Sequence, residues 1–291
     1  MTNSARVGSI DSFRDSRGNF SMLALDQRES LRAMLGRAAP GRRIEDSELV
    51  TFKVAAAEAL TPYASGVLLD RSYGAAAAAA ACCPLILAAD ILHADVVGGP
   101  VTRAELDRGV TAGVVAEFGT SALKMLVPWL PDSRESAIAL SAEFMDMCRS
   151  LGVLGIVEGV VRPVGFDTWP EGQKNDAFVE AAQDLGSTKP DLYKAEVPLF
   201  GVGDAEEIVE TARRITESVD CPWVVLSSGV HADSFANAVA MSMAGGASGF
   251  LAGRAVWADA TIADNPVDFL RTVSATRLEQ LATGLESAAA S

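Results

Sequence analysis

Eight short apolar runs recur along the chain, separated by longer segments with helical spacing, and this alternation limits the possible folds more than any other feature. The runs cover residues 20–26, 65–70, 85–90, 122–129, 154–161, 191–199, 222–228 and 247–253. Their lengths are those of buried strands. Helices are predicted over 44–60, 104–118, 133–151, 174–185, 205–218, 232–244 and 266–287. In the third of these, Ala137, Leu140, Phe144, Met147 and Leu151 form one stripe at spacings of three and four. Asp132 with Glu135, and Asp204 with Glu207, have the spacing of a capping box at a helix start. The alanine run at 75–81 predicts a short helix between the second and third strands.

Eight strands alternating with helices in 291 residues predict an α/β fold of the (β/α)8 TIM-barrel type. A doubly wound open sheet would want a glycine-rich turn after an early strand, and "LALDQRES" stands there instead. No linker rich in Pro, Gly or Ser divides the chain, so residues 1–291 are expected to form one domain.

A formal net charge of -14 argues against nucleic acid or an anionic membrane surface as a general partner. A small anionic ligand needs only a local basic cluster and stays open. The weakly polar run at 74–89 is too short for a membrane span and is broken by Pro84. "MTNSARVGSIDSF" has no apolar leader segment. Cys82, Cys83, Cys148 and Cys221 form no CxxC, which fits reduced cysteines in a cytoplasmic protein. With only His93 and His231 besides them, a mechanism without metal or other cofactor is expected.

Alternation within the strands points to the chemistry. In 191–199, Leu192, Lys194, Glu196 and Pro198 share one face, and Tyr193, Ala195, Val197 and Leu199 share the other. The second face is apolar and suits packing under helices, which turns Lys194 and Glu196 into the barrel. Lys124 interrupts one apolar strand in the same way and Glu158 another, while Asp26, Asp70 and Asp90 each end an apolar run. Barrel active sites sit at that carboxyl rim. One such charge would suit a structural ion pair, but two lysines and several carboxylates converging on one cavity make a reactive constellation. A lysine in an apolar barrel beside a second cation loses some preference for the ammonium form. Its free amine can attack a ketone, and the resulting iminium draws electrons from the carbon–carbon bond beta to the carbonyl. A base must take the proton of the departing hydroxyl, and Glu158 and Asp26 are both candidates.

"LSSGV" (226–230) and "AGRAV" (252–256) are small-residue turns after the seventh and eighth strands. Barrels commonly bind phosphate there, through backbone N–H groups and a following helix N-terminus. Arg254 adds a planar guanidinium suited to an oxyanion.

The stretches "LALDQRESLR", "FKVAAAEALTPYASGVLLD", "KMLVPW", "EGVVRP", "DLYKAEVPL", "PWVVLSSGV" and "AGGASGFLAGRAVWAD" together resemble the class I aldolases acting on tagatose 1,6-bisphosphate. They are more similar still to the sulfofructose-1-phosphate aldolases of sulfoquinovose breakdown (sulfoglycolysis). The resemblance runs from about residue 15 to about 285. It implies a metal-free carbon–carbon lyase that cleaves 6-deoxy-6-sulfofructose 1-phosphate to dihydroxyacetone phosphate and 3-sulfolactaldehyde. The alternative substrate is tagatose or fructose 1,6-bisphosphate, and a non-catalytic sugar-phosphate-binding barrel stands behind both. By resemblance Lys194 would be the Schiff-base lysine, and Lys124 the second active-site lysine that orients substrate hydroxyls. Glu158 would be the fifth-strand acid, and Asp26 and Gln27 would line the substrate site. Ser228, Gly229, Gly253 and Arg254 would hold the C1 phosphate. Arg28 and Arg71 are the basic residues nearest the C6 group. The family also implies a homo-oligomer, a dimer or a tetramer. Three departures stand out: Gly159 where proline is expected, "DRSYG" at 70–74 with the shape of the tagatose-type "DPEYG", and a loop "ILHADVVGG" peculiar to this chain.

Overall fold

A computed structural model describes residues 8–96, 99–161 and 165–289. Residues 1–7 of the leader reading, 97–98 of the loop peculiar to this chain, 162–163 of "EGVVRP" and 290–291 of the tail lie outside the described residues. The strands are β1 (Phe20–Ala24), β2 (Gly66–Leu69), β3 (Leu85–Ala88), β4 (Asp90–His93), β5 (Arg103–Leu106), β6 (Ala122–Trp129), β7 (Leu154–Val161), β8 (Leu192–Ala195), β9 (Trp223–Val225) and β10 (Gly249–Ala252). Eight of them close in the order β1-β10-β9-β8-β7-β6-β3-β2, all parallel, with helices between them. This is the predicted (β/α)8 TIM barrel. Strands β4 and β5 form a separate antiparallel hairpin inserted after β3, with Asp90 opposite Leu106 and His93 opposite Arg103.

Alternation sorts every barrel strand into an inner and an outer face. Met22, Leu68, Ile86, Ala122, Leu154, Ile156, Leu192, Val224 and Leu251 fill the inside. Phe13, from a 3-10 turn before β1, joins them and stops the amino end of the barrel; its burial is worth roughly 1.5–3 kcal/mol. Tyr193, Ala195, Val197 and Trp223 belong to the outer layer under the helices. The inner face is thus apolar at the amino ends of the strands, and on β1, β3, β6, β7 and β8 it meets ionisable groups further along, so a packed floor supports a charged layer.

Several expectations need correction. The helix expected over 104–118 is shorter, Ala112–Phe118, because Arg103–Leu106 pairs as β5 with Ala104 and Leu106 buried and Arg103 and Glu105 exposed. Helix Arg134–Leu151 is not capped by Asp132: its N-cap is Ser133, without a side-chain bond. At the other expected box Asp204 does cap, accepting from the Glu206 and Glu207 N–H groups at 2.8 and 3.2 Å, while the Glu207 carboxylate goes to Asn175. Helix Glu29–Ala38 was not foreseen. The sixth run stops being a strand at Ala195 and enters a 3-10 turn, Pro198–Gly201, with Leu199 and Phe200 at φ of 49° and 53°. Glu196 therefore lies beyond Lys194 towards the rim. Its Oε2 accepts the Val161 N–H at 2.8 Å and ties the end of β7 to the chain leaving β8.

Candidate active site

At the carboxyl end of the barrel the inward charges meet. Asp26 follows Met22 and Ala24 on the inner side of β1, Asp90 follows Ile86 and Ala88 after β3, and Lys124 follows Ala122 on β6. Glu158 on β7 stands opposite Lys194 on β8 in the parallel register. Lys124 Nζ lies 2.9 Å from Asp26 Oδ2, 3.1 Å from Asp90 Oδ2 and 2.9 Å from Glu158 Oε2. The other oxygen of Glu158 is 3.0 Å from Lys194 Nζ, so one carboxylate bridges the two lysines. Arg28 completes the group: its guanidinium pairs with the Asp90 carboxylate and donates to the Asp90 carbonyl at 2.6 Å. Three carboxylates face three cations, and all but Arg28 are buried.

Burial works against the ammonium of Lys124, yet Asp26, Asp90 and Glu158 outweigh it and hold its pKa well above the ordinary lysine value. Burial would likewise raise Asp26, but Lys124, Lys194 and Arg28 hold it well below the usual carboxylate range. Glu158 is also lowered, because Lys124 and Lys194 together exceed its desolvation. The centre therefore contains a firm ammonium at Lys124 and ionised carboxylates at Asp26 and Glu158. The Lys124 ammonium occupies the point on which the carboxylates converge. Among the described residues no group of three His, Cys, Asp or Glu side chains is arranged to hold a metal ion.

A cavity of about 790 Å³ opens over this cluster, within the size of small-molecule sites. Asp26, Gln27, Arg28, Lys124, Glu158 and Lys194 line its floor. Ser228 and Arg254 reach it from the turns after β9 and β10, and Leu92, His93 and Val101 from the hairpin. Leu92 and Val101 pack on Leu126, Val160 and Leu226 as an apolar wall. Arg254 donates to Ser228 Oγ at 2.5 Å.

The other two residues of the expected phosphate turns are placed differently. Gly229 lines a neighbouring cavity that shares Arg254, with φ at +84°, and a side chain there would strike the Phe200 ring. The Gly253 N–H donates to Ser227 Oγ at 3.2 Å, and a side chain at 253 would strike the Ala24 carbonyl. The helix after β10, Arg254–Trp257, is a single turn. Arg71 is bound to Asp107 at 3.0 Å and does not line the 790 Å³ cavity. At Gly159 the Tyr193 hydroxyl fills the place of a side chain, since a β-carbon there would lie 2.2 Å from it.

Two groups carry more weight than the sequence suggested. Asp90, read there only as a carboxylate ending an apolar run, is a full partner of Lys124; its parity with Ile86 and Ala88 is the signal. Lys53, on helix Asp46–Leu60, was not singled out at all. It is fully buried, pairs with Asp70 and donates to the Leu25 carbonyl at 2.6 Å. Its signal is a lysine inside the apolar stripe formed by Leu49, Phe52, Ala56 and Leu60.

Residues 20–259 match the family described as DeoC/LacD family aldolase. The tagatose 1,6-diphosphate aldolase of Listeria monocytogenes serotype 4a is 30% identical, over 84% of this chain and 78% of its own length. Tagatose 1,6-diphosphate aldolase 1 of Enterococcus faecalis is 26% identical, over 97% of this chain and 95% of its own. Among solved structures, fructose-bisphosphate aldolase from Plasmodium falciparum has the same fold, with a TM-score of 0.68 at 12% identity over 91% of this chain and 89% of that one.

Proposed function

The chain belongs to the DeoC/LacD family of aldolases, carbon–carbon lyases, and from that premise we propose that it acts through a Schiff base on Lys194, without a metal. Its substrate in this reading is 6-deoxy-6-sulfofructose 1-phosphate, cleaved in the cytoplasm to dihydroxyacetone phosphate and 3-sulfolactaldehyde as a step of sulfoquinovose degradation. The observation that carries the mechanism is the Glu158 carboxylate held between the two lysine Nζ atoms, 2.9 Å from one and 3.0 Å from the other.

Lys124 is locked as an ammonium, so it serves as a fixed positive charge for substrate oxygens and not as a nucleophile. Lys194 has Glu158 beside it to accept a proton. The Lys194 free amine adds to the C2 carbonyl, and loss of water from the carbinolamine leaves an iminium. Glu158 or Asp26 takes the proton of the C4 hydroxyl. The C3–C4 bond then breaks, its electron pair passing into the enamine, and the aldehyde leaves. Protonation at C3 and hydrolysis release dihydroxyacetone phosphate and restore the amine. Ser228 and Arg254, with Gly229 and Gly253 shaping their turns, hold the C1 phosphate, and Gln27 and Arg28 shape the floor.

Charge favours the sulfonate. Among the described lysines and arginines lining the cavity, Lys124, Lys194 and Arg28 belong to the cluster, and Arg254 alone stands outside it. One guanidinium suits the phosphate at C1, which carries roughly two charges. In this reading the C6 end meets Ser30, Ser72, Tyr73 and His93, with the Glu29 carboxylate on the same wall, which suits a singly charged group better than a dianion. The second reading, tagatose or fructose 1,6-bisphosphate giving dihydroxyacetone phosphate and glyceraldehyde 3-phosphate, is favoured by the relatives' tagatose 1,6-diphosphate activity.

Borohydride reduction in the presence of dihydroxyacetone phosphate should leave a mass adduct on Lys194. No adduct, or one that persists in Lys194→Ala, would refute the mechanism. A kcat/KM for either bisphosphate at least tenfold above that for the sulfonate would replace the substrate with the second reading.

A further inference from the structure

We propose that the buried Lys53–Asp70 ion pair is a positioning device for the reaction: it holds the peptide that carries Asp26, although neither residue reaches the substrate cavity. The side chains are 0% and 1% exposed, as deeply buried as the Lys124–Asp90 pair at the centre of the site. Such a pair is a poor source of stability, because apolar residues of similar volume commonly serve as well. What it touches gives it another role. Strand β1 ends at Ala24, where the chain turns into Leu25, Asp26 and Gln27. The two carbonyls at that exit are both taken by side chains from behind the barrel. Trp257 Nε1 donates to the Ala24 carbonyl at 3.0 Å, and Lys53 Nζ to the Leu25 carbonyl at 2.6 Å. The Leu25 N–H is held by the Leu68 carbonyl at 2.8 Å, so Leu25 is tied at both its N–H and its carbonyl, and Lys53 holds the carbonyl of the peptide that leads into Asp26. The next residue is Asp26, 2.9 Å from Lys124.

Asp70 does the same for β2. Its Oδ2 accepts the Tyr73 N–H at 2.9 Å and shapes the turn that brings Ser72 and Tyr73 to the cavity. One ion pair thus braces the exits of two adjacent strands. Lys53 acts through the Leu25 peptide on Asp26, and a carboxylate displaced by a fraction of an ångström loses its alignment with Lys124 and with the substrate proton.

The inference rests on the Schiff-base reading, and dihydroxyacetone phosphate probes both. On an aldolase its iminium loses a C3 proton to a carboxylate, and in D2O the enamine takes back a deuteron, so exchange is followed by NMR. Replacing the pair as Lys53→Met with Asp70→Asn should slow exchange at least tenfold at saturating probe, with KM within about threefold and the Lys194 borohydride adduct still formed. In an Asp26→Asn background the same replacement should slow exchange less than twofold further, because its route is already removed. Equal factors in both backgrounds, or no slowing, would overturn the proposal while leaving the Schiff base intact. A wild type that forms no adduct overturns the Schiff-base reading and this inference with it. If the double replacement does not fold, Asp70→Asn alone is read in the same cycle; failure of both to fold makes the pair a folding element and ends the proposal.

Discussion

Replacing Lys124 with methionine removes the cation around which Asp26, Asp90 and Glu158 are gathered at 2.9, 3.1 and 2.9 Å. Taking one partner from a buried ion pair costs about 3–5 kcal/mol. In a domain of this size each kcal/mol moves Tm by roughly 2–4 °C, so a fall of about 6–20 °C is expected at pH 8. The pH dependence is the sharper test. In the wild type the lowered pKa values of Asp26 and Glu158 contribute stability that is fully present above their unfolded-state values near 4, and lost only as pH falls through the folded ones. Between pH 8 and 5 these groups leave the wild-type curve flat. In Lys124→Met the crowded carboxylates lose their main cation, and one of them regains a proton with a pKa above its unfolded value. The native state then binds more protons than the unfolded state, so stability rises as pH falls, by up to about 1.4 kcal/mol per unit. Thermal melts from pH 8 to 5 should show the gap between variant and wild type closing. A gap that stays constant, or no loss at pH 8, would refute the electrostatic account of this centre.

Lys194→Met should abolish the borohydride adduct and reduce turnover at least 10³-fold. It should lower Tm by less than half as much as Lys124→Met, because Glu158 keeps its contact with Lys124; an equal fall in melting temperature would contradict this. Arg254→Ala should raise KM for sulfonate and bisphosphate substrates alike by about 10- to 100-fold, the loss of a charged hydrogen bond worth ~1.5–3 kcal/mol. A KM increase confined to one substrate would move Arg254 to the C6 end. Gly159→Ala should cost about 1–3 kcal/mol by driving a methyl into the Tyr193 hydroxyl, and Tyr193→Phe in the same chain should recover most of it in a thermal melt. No recovery would place the clash elsewhere.

Strands β6 and β7 were legible residue for residue, because eight alternating positions with one charge each leave little choice of face. The hairpin was not. Arg103–Leu106 is built from good helix formers, and only pairing with Asp90–His93 makes it a strand. Helix Glu29–Ala38 escaped notice because it buries only Leu31 and Met34. Parity alone brought Lys194, Lys124, Glu158 and Asp26 to one end of the barrel, but it could not say who pairs with whom. Within one strand Glu196 was the carboxylate nearest Lys194 on the inward face. The partner is Glu158, and inter-strand register, which no single segment encodes, makes it so. Lys53 was harder still, since its contact runs from a helix through the outer layer to a loop carbonyl.

The charged centre also bears on how the chain can assemble. Its members are residues 26, 28, 90, 124, 158 and 194, contributed by five different barrel strands or the turns that follow them. Once residue 158 has emerged, the nascent chain sets three of these carboxylates against two cations until residue 194 arrives. Early closure around fewer strands would seal that unmatched charge away from water, which is expensive. The same residues that make the site reactive therefore penalise premature collapse, and fragments or permutants that end between β7 and β8 should stay open and aggregate instead of forming a smaller barrel.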